Sequence, residues 1–426
     1  MEKIIICPFT LNSIINYHRL NKIGKNIVGF FDNNVYLHGK KYGNVKIETP
    51  RFVSDTKVVV CSEKHYDVIK KQLQNIGYTQ DNIKKIDDLE ISNIDKNDIV
   101  KNLDLESIYK LLGDGDAGTY VKAKKMVYFS KLLPSVSFLE IEGPSRKEIV
   151  NDIWGKKHIV LKRLELDLTS RCTLRCKNCC NMMQYFEHPS DIDSDTVIKD
   201  YNRIMELIDW TDDIMLIGGE TFLYRDLAKI VKAIFQNKLT LQKVGMVRVV
   251  TNGTVLPSQE TLKELARHNL IVEISNYGEK SKKIDELIDY LNSYGIKYTV
   301  LDIKWWSYVQ QYVPASQSKT NEQLLELRKS GCVTLCRVVD QGKFYLCCNL
   351  KSLILLDALP KHARDCYINI YDEDAKGEII QYLNHENMMP KACSWCTGCS
   401  LEDWNNSRIS VAEQSKKVLP YRKYEE

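Results

Sequence analysis

Three cysteines, Cys172, Cys176 and Cys179, stand in C-x3-C-x2-C spacing directly after the strand-like run Leu164–Leu168. That is one thiolate too few for a closed iron–sulfur site. A [4Fe–4S] cluster takes four cysteines, so three leave one iron with an open position. An open iron at the end of a strand can hold a small chelating ligand and pass it an electron. Zinc is the competing reading of closely spaced cysteines, but zinc knuckles come in pairs or beside two histidines at short spacing. Here no histidine pair follows, and the nearest histidine, His188, stands alone as a surface loop residue. Cys180, directly after the triplet, reads as a small buried hydrophobe rather than a fourth ligand.

Further along, the short apolar strand Ile214–Ile217 ends in Gly218-Gly219-Glu220. Glycines there let backbone approach a ligand with no Cβ in the way. Thr251-Asn252-Gly253-Thr254 closes the next strand, Val247–Val250, and Ser275-Asn276-Tyr277-Gly278 closes the one after. Ordinary turn chemistry also explains these two. Together with the cysteine triplet, these motifs resemble the radical S-adenosylmethionine (radical SAM) superfamily. The resemblance implies that Cys172, Cys176 and Cys179 hold a [4Fe–4S] cluster whose open iron binds SAM. It implies that Gly218, Gly219 and Glu220 receive the SAM amino group, and that Asn252 and Ser275 serve its ribose and carboxylate. One-electron reduction would then yield methionine and a 5′-deoxyadenosyl radical that takes hydrogen from a substrate. The position before the third cysteine, often aromatic in the family, is Asn178 here.

A second cysteine group lies near the C-terminus: Cys332, Cys336, Cys347, Cys348, Cys366, Cys393, Cys396 and Cys399. Gln341-Gly342 reads as a hairpin turn that brings Cys336 and Cys347 nearly opposite each other. The spacing C-x9-G-x4-C from Cys332 to Cys347, with Cys393-x2-Cys396, resembles the twitch or SPASM extensions of radical SAM enzymes. That resemblance implies one auxiliary [4Fe–4S] cluster held by four of Cys332, Cys336, Cys347, Cys393 and Cys396, with Cys348 and Cys399 as alternates. Four thiolates would suit a structural zinc ion equally well.

The elements that must position these residues alternate steadily. Strands Leu164–Leu168, Ile214–Ile217, Val247–Val250, Ile271–Ser275 and Tyr298–Asp302 are separated by helical patterns, with a sixth strand expected near Phe344–Cys347. One helix carries Val197, Ile198, Tyr201, Ile204, Met205 and Ile208 behind a Ser194 N-cap. Alternation of this kind demands a parallel sheet with crossover helices, and enzymes built so place chemistry at the C-terminal strand ends. The expected fold class is α/β: a partial (β/α)6 barrel with an N-terminal Rossmann-like domain and a small cysteine-rich C-terminal domain. Domain limits are expected at 1–95, 96–160 (helical linker), 161–330 and 331–426.

In the front segment, Lys3–Cys7, Asn26–Phe31, Lys57–Cys61 and Ile83–Ile86 read as strands, with a helix at Tyr66–Ile76. It resembles nucleotide-binding-like modules fused to glycan-biosynthesis enzymes. Yet Cys7-Pro8-Phe9-Thr10-Leu11-Asn12 stands where a G-x-G-x-x-G loop would be needed, which argues against NAD. Asp32 then reads as a turn acid. The module is expected to hold a nucleotide-linked sugar weakly or to dock a partner.

With 60 basic and 56 acidic residues in 426, net +4, the chain is too balanced to argue for nucleic acid or a membrane surface. It has no 18-residue apolar run and no convincing signal peptide, so a cytoplasmic location is expected. Fourteen cysteines then speak for metal rather than disulfides. The function expected from the two resemblances is hydrogen abstraction from a carbohydrate, polyol or nucleotide-linked sugar, with a reductase, flavodoxin or ferredoxin as electron donor. A maturase of ribosomally made peptides and a zinc-binding scaffold are the alternatives.

Overall fold

The computed structural model describes residues 2–89, 91, 94–111, 117–132, 158–303, 306–307, 320, 322–324, 336–364, 366–384, 390–395, 408–421 and 423–424. The chain divides into two compact units, Met1–Ile149 and Val150–Glu426.

The first unit is a six-stranded sheet of β1 (Lys3–Cys7), β2 (Asn26–Phe31), β3 (Lys41–Tyr42), β4 (Val45–Glu48), β5 (Thr56–Val60) and β6 (Ile83–Lys85), in the order β3-β4-β2-β1-β5-β6. Only the β3–β4 pair is antiparallel. The four expected strands are all present, and α2 spans Tyr66–Asn75. After β1 the chain makes a short loop, Pro8-Phe9-Thr10, and enters α1 (Leu11–Lys22), which buries Leu11, Ile14, Ile15 and Leu20 at helical spacing. Three further helices, α3 (Lys96–Lys101), α4 (Leu105–Leu111) and α5 (Ala117–Leu132), belong to this same unit; α1 packs against α3 and α5. Asp32 is a turn acid: Phe9 N donates to its Oδ2 at 2.9 Å and Asn34 N to its Oδ1 at 2.7 Å.

The second unit is built on strands β7 (Val160–Thr169), β8 (Trp210–Gly218), β9 (Val244–Thr251), β10 (Leu270–Asn276) and β11 (Lys297–Asp302). A short β12 (Trp306–Ser307) pairs antiparallel with β16 (Arg408–Ile409). Next come β13 (Cys336–Asp340), β14 (Lys343–Tyr345) and β15 (Tyr367–Asn369), and the main sheet runs β11-β10-β9-β8-β7-β13-β14-β15. Six neighbours, β11 to β13, are parallel, and β14 and β15 add antiparallel to the edge. The sixth parallel strand is therefore Cys336–Asp340 rather than Phe344–Cys347. The turn at Gln341-Gly342 reverses the chain, so whatever follows it must run antiparallel to β13.

Helices α6 (Ser194–Leu207), α7 (Leu227–Gln236), α8 (Lys238–Lys243), α9 (Gln259–Ala266) and α10 (Ile284–Ser293) link the parallel strands, and α11 (Cys348–Leu355) and α12 (Ala375–Asn384) follow the hairpin. The N-cap of α6 is Asp193, whose carboxylate accepts from Thr196 N at 2.9 Å, leaving Ser194 as the first helical residue. A carboxylate reaches the third amide and adds negative charge at the positive helix end. One face of the sheet carries Leu164, Leu166, Leu168, Ile214, Leu216, Val247, Val249, Val272, Ile274 and Val339, packed with Tyr201, Ile204, Ile230 and Leu287 of the helices. Strand alternation puts Arg163, Glu165, Asp167, Asp213, Arg248 and Glu273 on the opposite, concave face. Among the described residues, no helix is long and apolar enough to cross a membrane.

Candidate active site

The cysteine triplet occupies the loop after β7, at the C-terminal edge of the parallel sheet. Hydrogen-bond donors approach each of its three sulfurs, with the carboxylates of Glu220 and Asp167 farther off. Leu174 N and Asn252 Nδ2 approach Cys172 Sγ at 3.4 and 3.5 Å. Gln414 Nε2 donates to Cys176 Sγ at 3.2 Å, and the amides of Met183, Asn181 and Met182 face Cys179. Burial nevertheless pushes Cys172 up to about 12 and Cys176 up to about 11, and raises Cys179 as well. Three thiols ringed by donors suit anionic sulfur, and iron supplies the positive charge that makes thiolates of them. The donor set fits a cluster held at three corners.

The loop is anchored from two sides. Residues 413–415 pair with it: Lys177 N donates to Glu413 O and Ser415 N to Arg175 O, both at 2.8 Å, and Arg175 N donates to Gln414 Oε1 at 2.7 Å. Lys177 and Glu413 also form an ion pair. On the other side, Gly219 N donates to Thr169 O and Glu220 N to Arg171 O, both at 2.8 Å. A Cβ on Gly218 would stand 2.3 Å from Thr169 O, and one on Gly219 would stand 2.2 Å from Arg171 O. Both glycines are thus required by the backbone of the cysteine loop, whatever else approaches them.

Glu220 is fully buried. Its Oε1 accepts from Phe222 N at 3.0 Å and Thr251 Oγ1 at 2.8 Å, and its Oε2 accepts from Asn252 N at 2.8 Å. Burial raises its pKa against these three donors. The carboxylate ties the end of β8 to the end of β9, and a carboxylate's four acceptor positions leave one for a further donor. Asn252, buried, touches Cys172 and Thr173 and holds its own turn through Thr254 N at 3.0 Å. Ser275 is half-buried, and Ser281 Oγ joins it to Asn252 by donating to Asn252 O at 2.7 Å and Ser275 O at 3.3 Å. The triplet, Gly218-Gly219-Glu220, Asn252 and Ser275 therefore meet along one rim. Cys180, expected to be buried, is solvent-accessible yet crowded by Cys179, Glu165 and Cys336, as a side chain on the wall of an open cavity is. Its place in a turn directly after Cys179 turns it out of the core. Asn181 was not singled out by its local pattern, but it is buried and donates to Gly218 O at 3.3 Å.

Below that rim the concave face is strongly polar. Arg248 pairs with Asp213 at 2.8 Å and with Glu273 at 3.4 Å, all three partly accessible. Helix α11 packs on the β7–β13 part of this face, where buried Lys351 forms an ion pair with buried Asp167. Burial works against the Lys351 charge, but Asp167 and Asp340 more than offset it and raise its pKa. Glu165, also buried, is driven well above the usual carboxylate range by burial.

Among the described residues, the C-terminal cysteines fall into two sets of contacts around one apolar cluster. Cys347 accepts from Leu350 N at 3.4 Å and Cys366 from Ala392 N at 3.5 Å. Tyr382, whose pKa burial raises, faces Cys366, Cys347 and Cys393. Cys336 has other partners, Cys348 and Glu165, with Arg163 Nη1 at 3.8 Å. Cys332, Cys396 and Cys399 lie outside the described residues. Cys366 was not among the preferred ligands because nothing in its local spacing marks it.

Residues 166–303 match the family model described as Radical SAM superfamily. A stretch of 146 residues is 33% identical to the GTP 3',8-cyclase of Synechocystis sp., covering 34% of this chain and 41% of that protein. Another of 116 residues is 32% identical to the probable GTP 3',8-cyclase of Methanocella arvoryzae, covering 26% and 33%. The chain thus spans less than half the length of the curated relatives it matches. Among solved structures, BtrN in complex with AdoMet and 2-DOIA aligns over 62% of this chain and 100% of that chain, at 16% identity and a TM-score of 0.37. Residues 166–303 thus form a radical SAM superfamily domain.

Proposed function

We propose that the protein uses this domain to abstract hydrogen from a carbohydrate, a polyol or a nucleotide-linked sugar. When bound at Cys172, Cys176 and Cys179, a [4Fe–4S] cluster supplies the electron that splits SAM into methionine and the hydrogen-abstracting 5′-deoxyadenosyl radical. The chain's own part is to hold SAM at Gly218, Gly219, Glu220, Asn252 and Ser275, to fix one substrate C–H bond near the 5′ carbon, and to limit water. A second [4Fe–4S] cluster held by four of Cys332, Cys336, Cys347, Cys393 and Cys396 would accept or relay an electron from the substrate. The electron for SAM would come from a flavodoxin, a ferredoxin or a dedicated reductase.

The observation that carries the substrate class is the composition of the concave wall. Among the described residues its accessible charges are Asp213 and Glu273 against Arg163 and Arg248, while Glu165, Asp167, Asp340 and Lys351 are buried. Such a wall offers both donors and acceptors for hydroxyl groups, and its accessible acids and bases balance. It favours a hydroxyl-rich, uncharged molecule within the proposed class. The relatives named GTP 3',8-cyclase make a nucleoside triphosphate the second reading; a wall whose accessible acids and bases balance has no net positive charge to draw a polyphosphate. The front unit would recruit the substrate's carrier or dock a partner.

The test is anaerobic turnover with polyols, amino sugars, nucleotide-sugars and GTP, each deuterated at candidate carbons. Deuterium should appear in 5′-deoxyadenosine from a polyol or sugar. Label arriving only from GTP, or only from a peptide, would replace this reading by a cyclase or a maturase. A colourless protein that holds zinc and never cleaves SAM would make it a scaffold.

A further inference from the structure

The contact between Glu165, Cys336 and Cys348 uses none of the residues assigned to SAM and none of the cysteines around Tyr382, although Cys180, next to Cys179, approaches it. Glu165 comes from β7, Cys336 from the start of β13 and Cys348 from the start of α11. One carboxylate oxygen and two sulfurs lie within 4.8 Å of one another, with Glu165 and Cys348 buried and Cys336 half-buried. We propose that these three residues hold a single divalent, thiophilic cation, zinc or ferrous iron, separate from any iron–sulfur cluster.

Spacing is the first argument. Two thiolates on one tetrahedral ion with metal–sulfur bonds of about 2.3 Å stand about 3.8 Å apart. Thiolates of a four-iron cluster each sit on a different iron and are spread more widely. Ligand atoms gathered this closely suit one ion rather than a cluster.

Charge is the second. Two thiolates and a carboxylate would place three negative charges in a buried pocket, which is costly unless they are matched. Arg163, 3.8 Å from Cys336 Sγ, supplies one positive charge. Asp167, the next inward acid along β7, is already paired with Lys351. A divalent ion supplies the remaining two charges. Two sulfurs and one carboxylate oxygen form a borderline-soft donor set that selects zinc or ferrous iron over magnesium or calcium.

The assignment has two consequences. Three protein ligands leave a fourth position for water or a substrate heteroatom, as in catalytic rather than structural sites. With Cys336 committed here, the candidate ligands of the C-terminal cluster contract to Cys332, Cys347, Cys393 and Cys396.

The full-length chain, reconstituted anaerobically with iron and sulfide, would be equilibrated with zinc and dialysed. Zinc, iron and acid-labile sulfide would be counted, and the zinc environment read by X-ray absorption. One zinc with two sulfur and two lighter ligands is expected. Cys348→Ser and Glu165→Gln should each weaken zinc binding at least tenfold with iron and sulfide unchanged, and circular dichroism checks that each variant folds. Zinc held equally well by both variants would overturn the proposal, as would zinc bound by four sulfurs. Cys336→Ser that loses about four irons together with their sulfide would overturn it by giving Cys336 to a cluster.

Discussion

Each unit of this protein begins a parallel sheet with a strand, a loop and a helix, and the two loops have been put to opposite uses. In the loop after β1, polar groups answer one another. Thr10 Oγ1 accepts from Ser13 N at 3.4 Å as the cap of α1, Ser13 Oγ bonds to Pro8 O, and Asp32 takes Phe9 N. In the loop after β7, three thiols face donors from Leu174, Asn252, Gln414 and nearby amides. A loop whose donors and acceptors are mutually satisfied is a structural turn. A loop whose sulfurs each collect hydrogen-bond donors suits negative charge there.

The largest effect should come from removing the thiols. Alanine at Cys172, Cys176 and Cys179 together should abolish reductive SAM cleavage and lower iron by about four per chain, leaving any C-terminal cluster in place. SAM cleavage surviving in the triple variant would erase the difference between the two loops. Gly219→Ala comes next. Its Cβ would press on Arg171 O, which is backbone and cannot swing away. Overpacking of this kind costs about 1–3 kcal/mol, so the cysteine loop should shift, with iron occupancy falling and melting temperature dropping. Full iron loading with unchanged stability would show that the loop does not depend on that contact.

These residues also show what a sequence makes legible. The triplet, the Gly-Gly-Glu turn and the alternation of strands were visible because each is a local pattern with a chemical or geometric reason. The sixth strand was misplaced by one hairpin arm, since apolar content alone cannot say on which side of Gln341-Gly342 the chain runs parallel. The glycines read as room for a ligand, and they also admit the backbone of the cysteine loop, which no local pattern shows. Gln414 could not have been found: it lies more than 230 residues from Cys176 in sequence, and nothing in the tail marks it. The division of Cys336 from Cys347 was hidden for a related reason. Their near-opposition across the hairpin follows from local register, but the partners that α11 and β7 bring to Cys336 are long-range.

Gln414 sharpens the comparison more gently. Gln414→Leu keeps the volume near Cys176 but removes the donor to its sulfur. Hydrogen bonds to cluster sulfurs help set the potential, and losing one makes the reduced, more negative form harder to reach. Iron content should be unchanged while the cluster potential moves negative in a spectroelectrochemical titration. An unmoved potential would mean that this donor only anchors the tail.

The smallest effect belongs to the other loop. Thr10→Ala removes the side-chain cap of α1, whose buried face includes Ile14, Ile15 and Leu20. Losing such a cap costs about 1 kcal/mol, because a helix-end amide is left without its partner. If the loop after β1 is only a turn, the whole consequence is that loss, visible as an earlier unfolding transition in urea. Iron content, SAM binding and the rate of 5′-deoxyadenosine formation should match the parent chain. A Thr10→Ala variant that kept its stability but lost affinity for a nucleotide-linked substrate would say that Thr10 Oγ1 serves a ligand as well as Ser13 N. The two loops would then differ in which ligand they hold rather than in whether they hold one.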